Sequence, residues 1–274
     1  MYANSTADFL VSLDCPPRPD DTRSTRALLR RRTLSHLKRL AEFVPAQQLL
    51  PVVHGHSVRE ILEYCECVER ICGNVPQIAI GGLVPLMCSG SAFAAFSYIR
   101  TDGARGDRSH WVGDSISLVR GCFPDSLIHV FGVGSATTAI AVLALGANSV
   151  DSMSWRRAAN YGAILLPGRS ERFPTARADR KPSRPVVSPT DVSLIAACLC
   201  PVCKSAAKAE KRLRLLAECY TNRAIHNAWT VLSEVAKLRA ALSAGEAETF
   251  VQSRLLKTHR LYKPVMERLR LAAT

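Results

Sequence analysis

The run Cys198-Leu-Cys200-Pro-Val-Cys203 sets the tightest limit on how this chain can fold. Three thiols fall within six residues, a basic helical stretch follows, and Ile225-His226-Asn227 comes behind it. Three cysteines and a histidine are the soft and borderline donors that a tetrahedral zinc ion prefers. The thiols read as a short turn before an amphipathic helix over 206–218, with Leu213, Leu216 and Ala217 on one side. A turn donating three thiolates and a second element donating one imidazole would fill all four positions. The expectation is a structural Zn2+ held by Cys198, Cys200, Cys203 and His226. Ordinary buried thiols are the competing reading, but packing alone has no need of this spacing.

The remaining cysteines are scattered and irregularly spaced, which argues for a reducing compartment and against a disulfide framework. Residues 1–13 lack the basic start and long apolar core of a signal peptide, and no run is long and apolar enough to span a bilayer. The expected location is cytoplasmic, with no membrane partner. At 274 residues and 47% apolar content, the chain suits one large domain or two small ones. Its formal charge is +13, and residues 156–223 hold fourteen Lys and Arg against five Asp and Glu. Such a basic segment fits a polyanionic partner, most simply nucleic acid, or merely a solubilising surface.

Taken in order, the chain repeats one unit, in which a short apolar run ends in a polar or glycine-rich turn before a helix. Phe9–Leu13 ends at Asp14, ahead of a helix over 21–43, and Leu49–Val53 ends at His54-Gly55-His56, ahead of a helix over 58–72. Gln77–Ile80 ends at Gly81-Gly82-Leu83, with a long Gly/Ser/Ala-rich connection behind it. Leu127–Phe131 ends at Gly132-Val-Gly134, ahead of a helix over 137–145, and Ser149-Val150 ends at Asp151. Apolar strands alternating with helices predict an α/β fold with a parallel sheet. Five units without a dinucleotide fingerprint favour part of a (β/α)8 TIM-type barrel over a Rossmann fold. In such barrels the active site lies at the C-terminal ends of the strands, where Asp14, His54, Gly81, Gly82 and Asp151 stand. Each alone reads as readily as a cap or turn residue. Together they offer one compatible set.

The expected domains are a partial barrel over 1–167, a basic Pro-rich linker over 168–191 and a zinc-binding subdomain over 192–230. C-terminal helices over 231–274 follow, one running to about Ser243 and a second over 246–271.

At this point the residues carry a resemblance. The Cys-x-Cys-x-x-Cys…His set followed by asparagine resembles the zinc site of the tRNA-guanine transglycosylase superfamily. Ile80-Gly-Gly-Leu83, Gly132-Val-Gly134 and Leu145-Gly-Ala-Asn-Ser-Val-Asp151 match it in the same order. Ser152-Met-Ser-Trp-Arg-Arg157 and Gly162-Ala-Ile-Leu-Leu-Pro-Gly168 are more similar to the branch that inserts 7-deazaguanines into DNA. The resemblance implies that Asp151 is the nucleophile and that Asp14 reads the purine's N–H donors. It places Gly82 and Leu83 as backbone against the base, with Gly81 beside them. His54 stands where the tRNA enzymes carry a glutamine, so base reading is kept in altered form. Arg156 and Arg157, following the nucleophile, are expected to meet phosphates or to serve as surface and salt-bridge residues.

The resemblance also implies that the barrel's opening strands, with the aspartate expected as general acid/base, would lie before Met1. The chain would then be truncated or one part of a split enzyme, completed by a partner chain or homodimer. Three functions follow: DNA-guanine transglycosylase, queuine- or preQ1-type tRNA-guanine transglycosylase, or a non-catalytic zinc-bearing subunit that binds nucleic acid.

Overall fold

The computed structural model describes residues 6–18, 21–87, 109–175 and 185–273. Most of the expected Gly/Ser/Ala-rich connection and the middle of the expected linker lie outside these residues. The chain divides into two compact units.

The first unit takes in residues up to 132, together with 145–151 and 263–268. Its strands are β1 (Leu10–Val11), β2 (Leu49–Leu50), β3 (Val52–Val53), β4 (Gln77–Ile80), β5 (Leu127–Val130) and β6 (Ser149–Val150). β1 pairs with β2, β3–β6 form a second sheet in sequence order, and every pairing is parallel. The expected strand over 49–53 is divided at Pro51, which has no N–H to give to a ladder. Ile78, Ala79 and Ile80 are all buried, as they must be in a strand covered on both faces.

Between the strands run α1 (Arg23–Ala41), α2 (Val58–Cys72), α3 (Val84–Met87) and α4 (His110–Cys122). α2 shows why these segments are helices. Ser57 accepts the Glu60 amide at its start, and Ile61, Tyr64, Cys65 and Val68 bury one face at helical spacing. α1 and α4 pack against it.

The second unit takes in 133–144, 152–262 and 269–274. It contains α5 (Ala136–Ala144), α6 (Ser154–Asn160), α7 (Pro189–Ala196), α8 (Pro201–Lys204), α9 (Ala209–Glu218), α10 (Tyr220–Ser243) and α11 (Ala247–Arg254). α10 is its spine, in contact with α5, α6, α8, α9 and α11. Glu234, buried on α10, pairs with Lys237 and with Arg254 of α11.

Two sequence expectations change here. The single helix over 246–271 is two helices, α11 and α12 (Tyr262–Ala273). The cause is Pro264, whose ring would clash with the Arg260 carbonyl in a continuous helix but is tolerated in a first turn. The expected linker is anchored at both described ends. Ile164 bridges Arg172, Phe173 bridges Val186, and α7 begins at Pro189 with a Ser188–Asp191 capping box. Asp191 is buried and takes Arg169 at 3.4 Å and Arg172 at 3.1 Å. Among the described residues no helix is long and apolar enough to cross a membrane.

Candidate functional site

Parallel pairing puts every strand's C-terminal end on one edge of its sheet. Asp14 follows β1, His54 follows β3, Gly81 follows β4, Gly132 follows β5 and Asp151 follows β6. The set expected at the strand ends is therefore brought to one edge of the first unit.

Asp14 and His54 act as a pair. The His54 Nε2–H donates to Asp14 Oδ2 at 2.9 Å, since an ionised carboxylate can only accept. That hydrogen bond holds the Asp14 carboxyl below its ordinary range, outweighing the opposing effect of burial. His54 is 4% exposed, and its Nδ1 has no hydrogen-bond partner among the described residues. The ring lies against Gly81, where a Cβ would come within 2.3 Å of His54 Cε1. Only glycine leaves room for the imidazole there. Trp111 on α4 donates its indole N–H to the Gly55 carbonyl at 3.0 Å and so fixes the turn that carries His54. Gly82 is partly exposed and Leu83 is buried, next to the start of α3.

Asp151 is half exposed at the end of β6. Its Oδ1 accepts the Gly132 amide at 2.6 Å and lies 3.6 Å from His129 Nε2. The imidazole and that amide hold the Asp151 carboxyl below its ordinary range, again against burial. His129 also bonds Ser149 Oγ through Nδ1 at 2.9 Å. The positive φ of Gly132 aims its amide at the carboxylate, and a Cβ there would meet Val84 Cγ2 at 2.8 Å. Sequence reasoning missed His129. Its signal is the β5–β6 register, which sets His129 opposite Ser149, two residues before Asp151.

Arg156 and Arg157 lie on α6 of the second unit, both exposed. Arg156 Nε donates to the Tyr220 hydroxyl at 3.3 Å, and Arg157 pairs with Glu171 at 3.8 Å. These are weak, solvated contacts that a phosphate could displace.

The Cys/His set converges within the second unit. The donor atoms of Cys198, Cys200, Cys203 and His226 all lie within 4.8 Å of one another, so the cluster could hold a metal ion. His226 Nδ1 is 3.5 Å from Cys198 Sγ and 3.6 Å from Cys200 and Cys203 Sγ. His226 Nε2–H donates to the Leu165 carbonyl at 3.1 Å, which fixes the tautomer and turns Nδ1 toward the sulfurs. Asn227 clamps the same backbone. Its Oδ1 accepts the Leu165 amide at 2.7 Å, and its Nδ2 donates to the Ala163 and Trp155 carbonyls at 3.1 Å. Cys200 caps α8, where its sulfur accepts the Cys203 amide at 3.3 Å. Arg212 ties the loop down through the carbonyls of Ile195, Ala196, Cys198 and Ala206.

A parallel α/β unit with carboxylates at its strand ends shares one chain with a Cys3His cluster that could hold a metal ion, an arrangement that fits a (β/α)8-type fold. The chain belongs to the family described as queuine tRNA-ribosyltransferase, which matches residues 2–260. Among curated proteins it is similar to the tRNA-guanine(15) transglycosylase of Pyrococcus abyssi, 24% identical over 256 residues. That match covers 93% of this chain and 38% of the relative. The Archaeoglobus fulgidus protein of the same name is 27% identical over 259 residues, 91% of this chain and 45% of the relative. The chain thus spans less than half the length of these relatives.

The metal site makes a direct prediction. Cys200→Ser is expected to lower bound metal well below one per chain and to destabilise the second unit by about 2 kcal/mol or more, several degrees in melting temperature. Elemental analysis and calorimetry check it. Unchanged metal content and an unchanged melting curve would refute the cluster as a ligand set.

Proposed function

We propose that the chain carries the base site and nucleophile of a nucleic-acid guanine transglycosylase, a pentosyltransferase that exchanges guanine for a 7-deazaguanine. The observation that carries this reading is the Asp151 arrangement. Both contacts, from Gly132 and His129, go to Oδ1 of a carboxyl held below its ordinary range. Oδ2 remains to attack the anomeric carbon of the target nucleoside. The glycosidic C–N bond breaks as the C–O bond forms, guanine leaves with the bonding pair and takes up a proton from solvent, to which the incoming base later returns one, and a glycosyl-aspartate results. The incoming 7-deazaguanine attacks the same carbon from the face opposite the aspartate, its ring nitrogen loses a proton, and the carboxylate departs. Two inversions give retention, as in retaining glycosidases.

Asp14 supplies the base reading. A carboxylate accepts two parallel N–H bonds from a purine edge, and His54 holds Asp14 ionised and oriented for this. The backbone of Gly82 and Leu83, with Gly81 beside them, would meet the exocyclic groups of the base, where a side chain at Gly82 would obstruct it. A target base inside a duplex would have to be flipped out to reach them.

Zinc is the metal we assign to the cluster, with a structural role. Bonds of about 2.3 Å to sulfur and about 2.0 Å to nitrogen at tetrahedral angles require S···N edges of about 3.5 Å. The three Nδ1–Sγ distances of 3.5 and 3.6 Å fit that requirement. When bound, zinc supplies the cross-link that fixes the Leu165 backbone, and the chemistry of exchange stays with Asp151.

For the polymer, DNA is the first reading, supported by the likeness of 152–157 and 162–168 to the DNA-modifying branch. The tRNA reading has its own support in the names of the curated relatives. Arg156 and Arg157 would meet phosphates in either case. Strands supplied by a partner chain or second copy could pair with β1 of the two-stranded sheet or with β6 at the edge of the four-stranded one.

Radiolabelled guanine offered with duplex DNA and bulk tRNA in parallel separates the two polymers. Asp151→Asn is expected to lower exchange by at least about 10³-fold; residual exchange near the wild-type rate would exclude Asp151 as nucleophile. Arg156→Ala with Arg157→Ala should weaken binding and reduce its salt slope by about one to two, and an unchanged slope would remove both from the phosphate path. His129→Ala should let the Asp151 carboxyl rise toward its ordinary value. A depressed carboxyl keeps its charge as pH falls, so the variant should lose kcat/KM at a higher pH than wild type. A superimposable acid limb would show that His129 does not tune the nucleophile.

A further inference from the structure

Behind the Asp14–His54 pair lies a cleft that the proposed chemistry does not use. It has a volume of about 540 Å3 and opens between the first turns of α1 and α2, with His54 as part of its lining. That volume falls within the range of ~300–1,000 Å3 typical of ligand sites. Four arginines line it: Arg23, Arg26 and Arg30 from α1, and Arg59 from α2. Two carboxylates face them, Glu60 and Glu63.

Their pairing leaves the cleft positive. Arg26 is matched to Glu60 at 2.9 Å, while Arg30 at 2.7 Å and Arg59 at 2.6 Å share Glu63. Arg23 has no acidic partner among the described residues. Each paired guanidinium reaches its carboxylate through one nitrogen, and Arg26 also donates an Nη1–H to the Asp21 carbonyl at 2.7 Å, so at least three of the five N–H donors on each remain for a ligand. Glu60 is further committed to the turn, where it accepts the His56 amide at 2.8 Å. The first turns of both helices also present the positive ends of their dipoles to the same space.

We infer that this cleft binds phosphate groups of a nucleic-acid strand, next to the base reader. Flat guanidinium forks match phosphate oxygens two at a time. Successive phosphates of one strand, each carrying a single charge, match a net excess of two positive charges. The position supports a strand over a free anion, because His54 belongs to both places: its ring lines the cleft and its Nε2 holds Asp14. A nucleotide whose base meets Asp14 would therefore run beside the cleft that His54 helps to line. The inference rests on the transglycosylase reading for the polymer, and on the cleft's own charge for the ligand chemistry.

The test is fluorescence anisotropy of a labelled single-stranded oligonucleotide, DNA and RNA in parallel, over about 50–200 mM salt. Arg23→Ala with Arg59→Ala should lower the salt slope by about 1.4 and the affinity on the order of ten-fold, as expected for two lost single-strand contacts. Arg23→Lys with Arg59→Lys should restore the slope. Lys257→Ala with Arg260→Ala removes the same charge from exposed positions outside the cleft and should change both quantities less. An unaltered slope in the cleft variant, or an equal loss in the control pair, would overturn the inference. Arginine Nε–H resonances of the folded protein are then followed with inorganic phosphate and with the oligonucleotide. Shifts of Arg23 and Arg59 with inorganic phosphate alone would make this a small-anion site and overturn the strand assignment. Guanine exchange by the same preparations separates the two readings. Exchange that persists with no cleft-dependent binding sinks this inference alone. Cleft-dependent binding without exchange sinks the transglycosylase reading alone.

Discussion

A parallel strand cannot turn straight back into its neighbour, and that constraint shapes the first unit. Each strand must be followed by a crossover, which returns the chain to the same starting edge and leaves all the C-terminal ends together. Residues far apart in sequence, Asp14, His54, Gly81, Gly132 and Asp151, thereby share one edge without a special fold for any of them. The glycines do the finer work. Gly81 admits the imidazole that holds Asp14, and Gly132 turns its amide toward Asp151.

The two carboxylates are handled alike. Each is partly exposed, each has a histidine near one oxygen, and each is held ionised against the cost of burial. Their surroundings then separate them. Asp14 is fixed by a close bond from a buried ring and stands beside backbone, which suits recognition. Asp151 stands in the open with its contacts on one oxygen, which suits attack.

Much of this was legible in the sequence, and what was not has physical causes. The convergence of Cys198, Cys200, Cys203 and His226 was legible because three cysteines at that spacing have few other uses. Strand ends were legible because apolar runs stop abruptly at Asp14, His54 and Asp151. His129 was invisible because its role depends on which strand lies beside β5, a fact that periodicity does not carry. The anchoring of 168–191 was hidden for a similar reason. Arg169 and Arg172 look like solvated linker charges until the fold brings them to buried Asp191. The break before α12 was readable from Pro264.

The link from His226 to the Leu165 carbonyl has a consequence for how the molecule is made. Cys203 precedes His226 by 23 residues, and ribosomes add about 5–20 residues per second. The three sulfurs therefore leave the ribosome roughly one to five seconds before the imidazole that completes their shell. During that interval they are an open chelate, able to take up a soft ion or to be oxidised. Leu165 has already been synthesised by then, so the arriving histidine meets a waiting backbone acceptor. Closing the cluster is thus set late in synthesis.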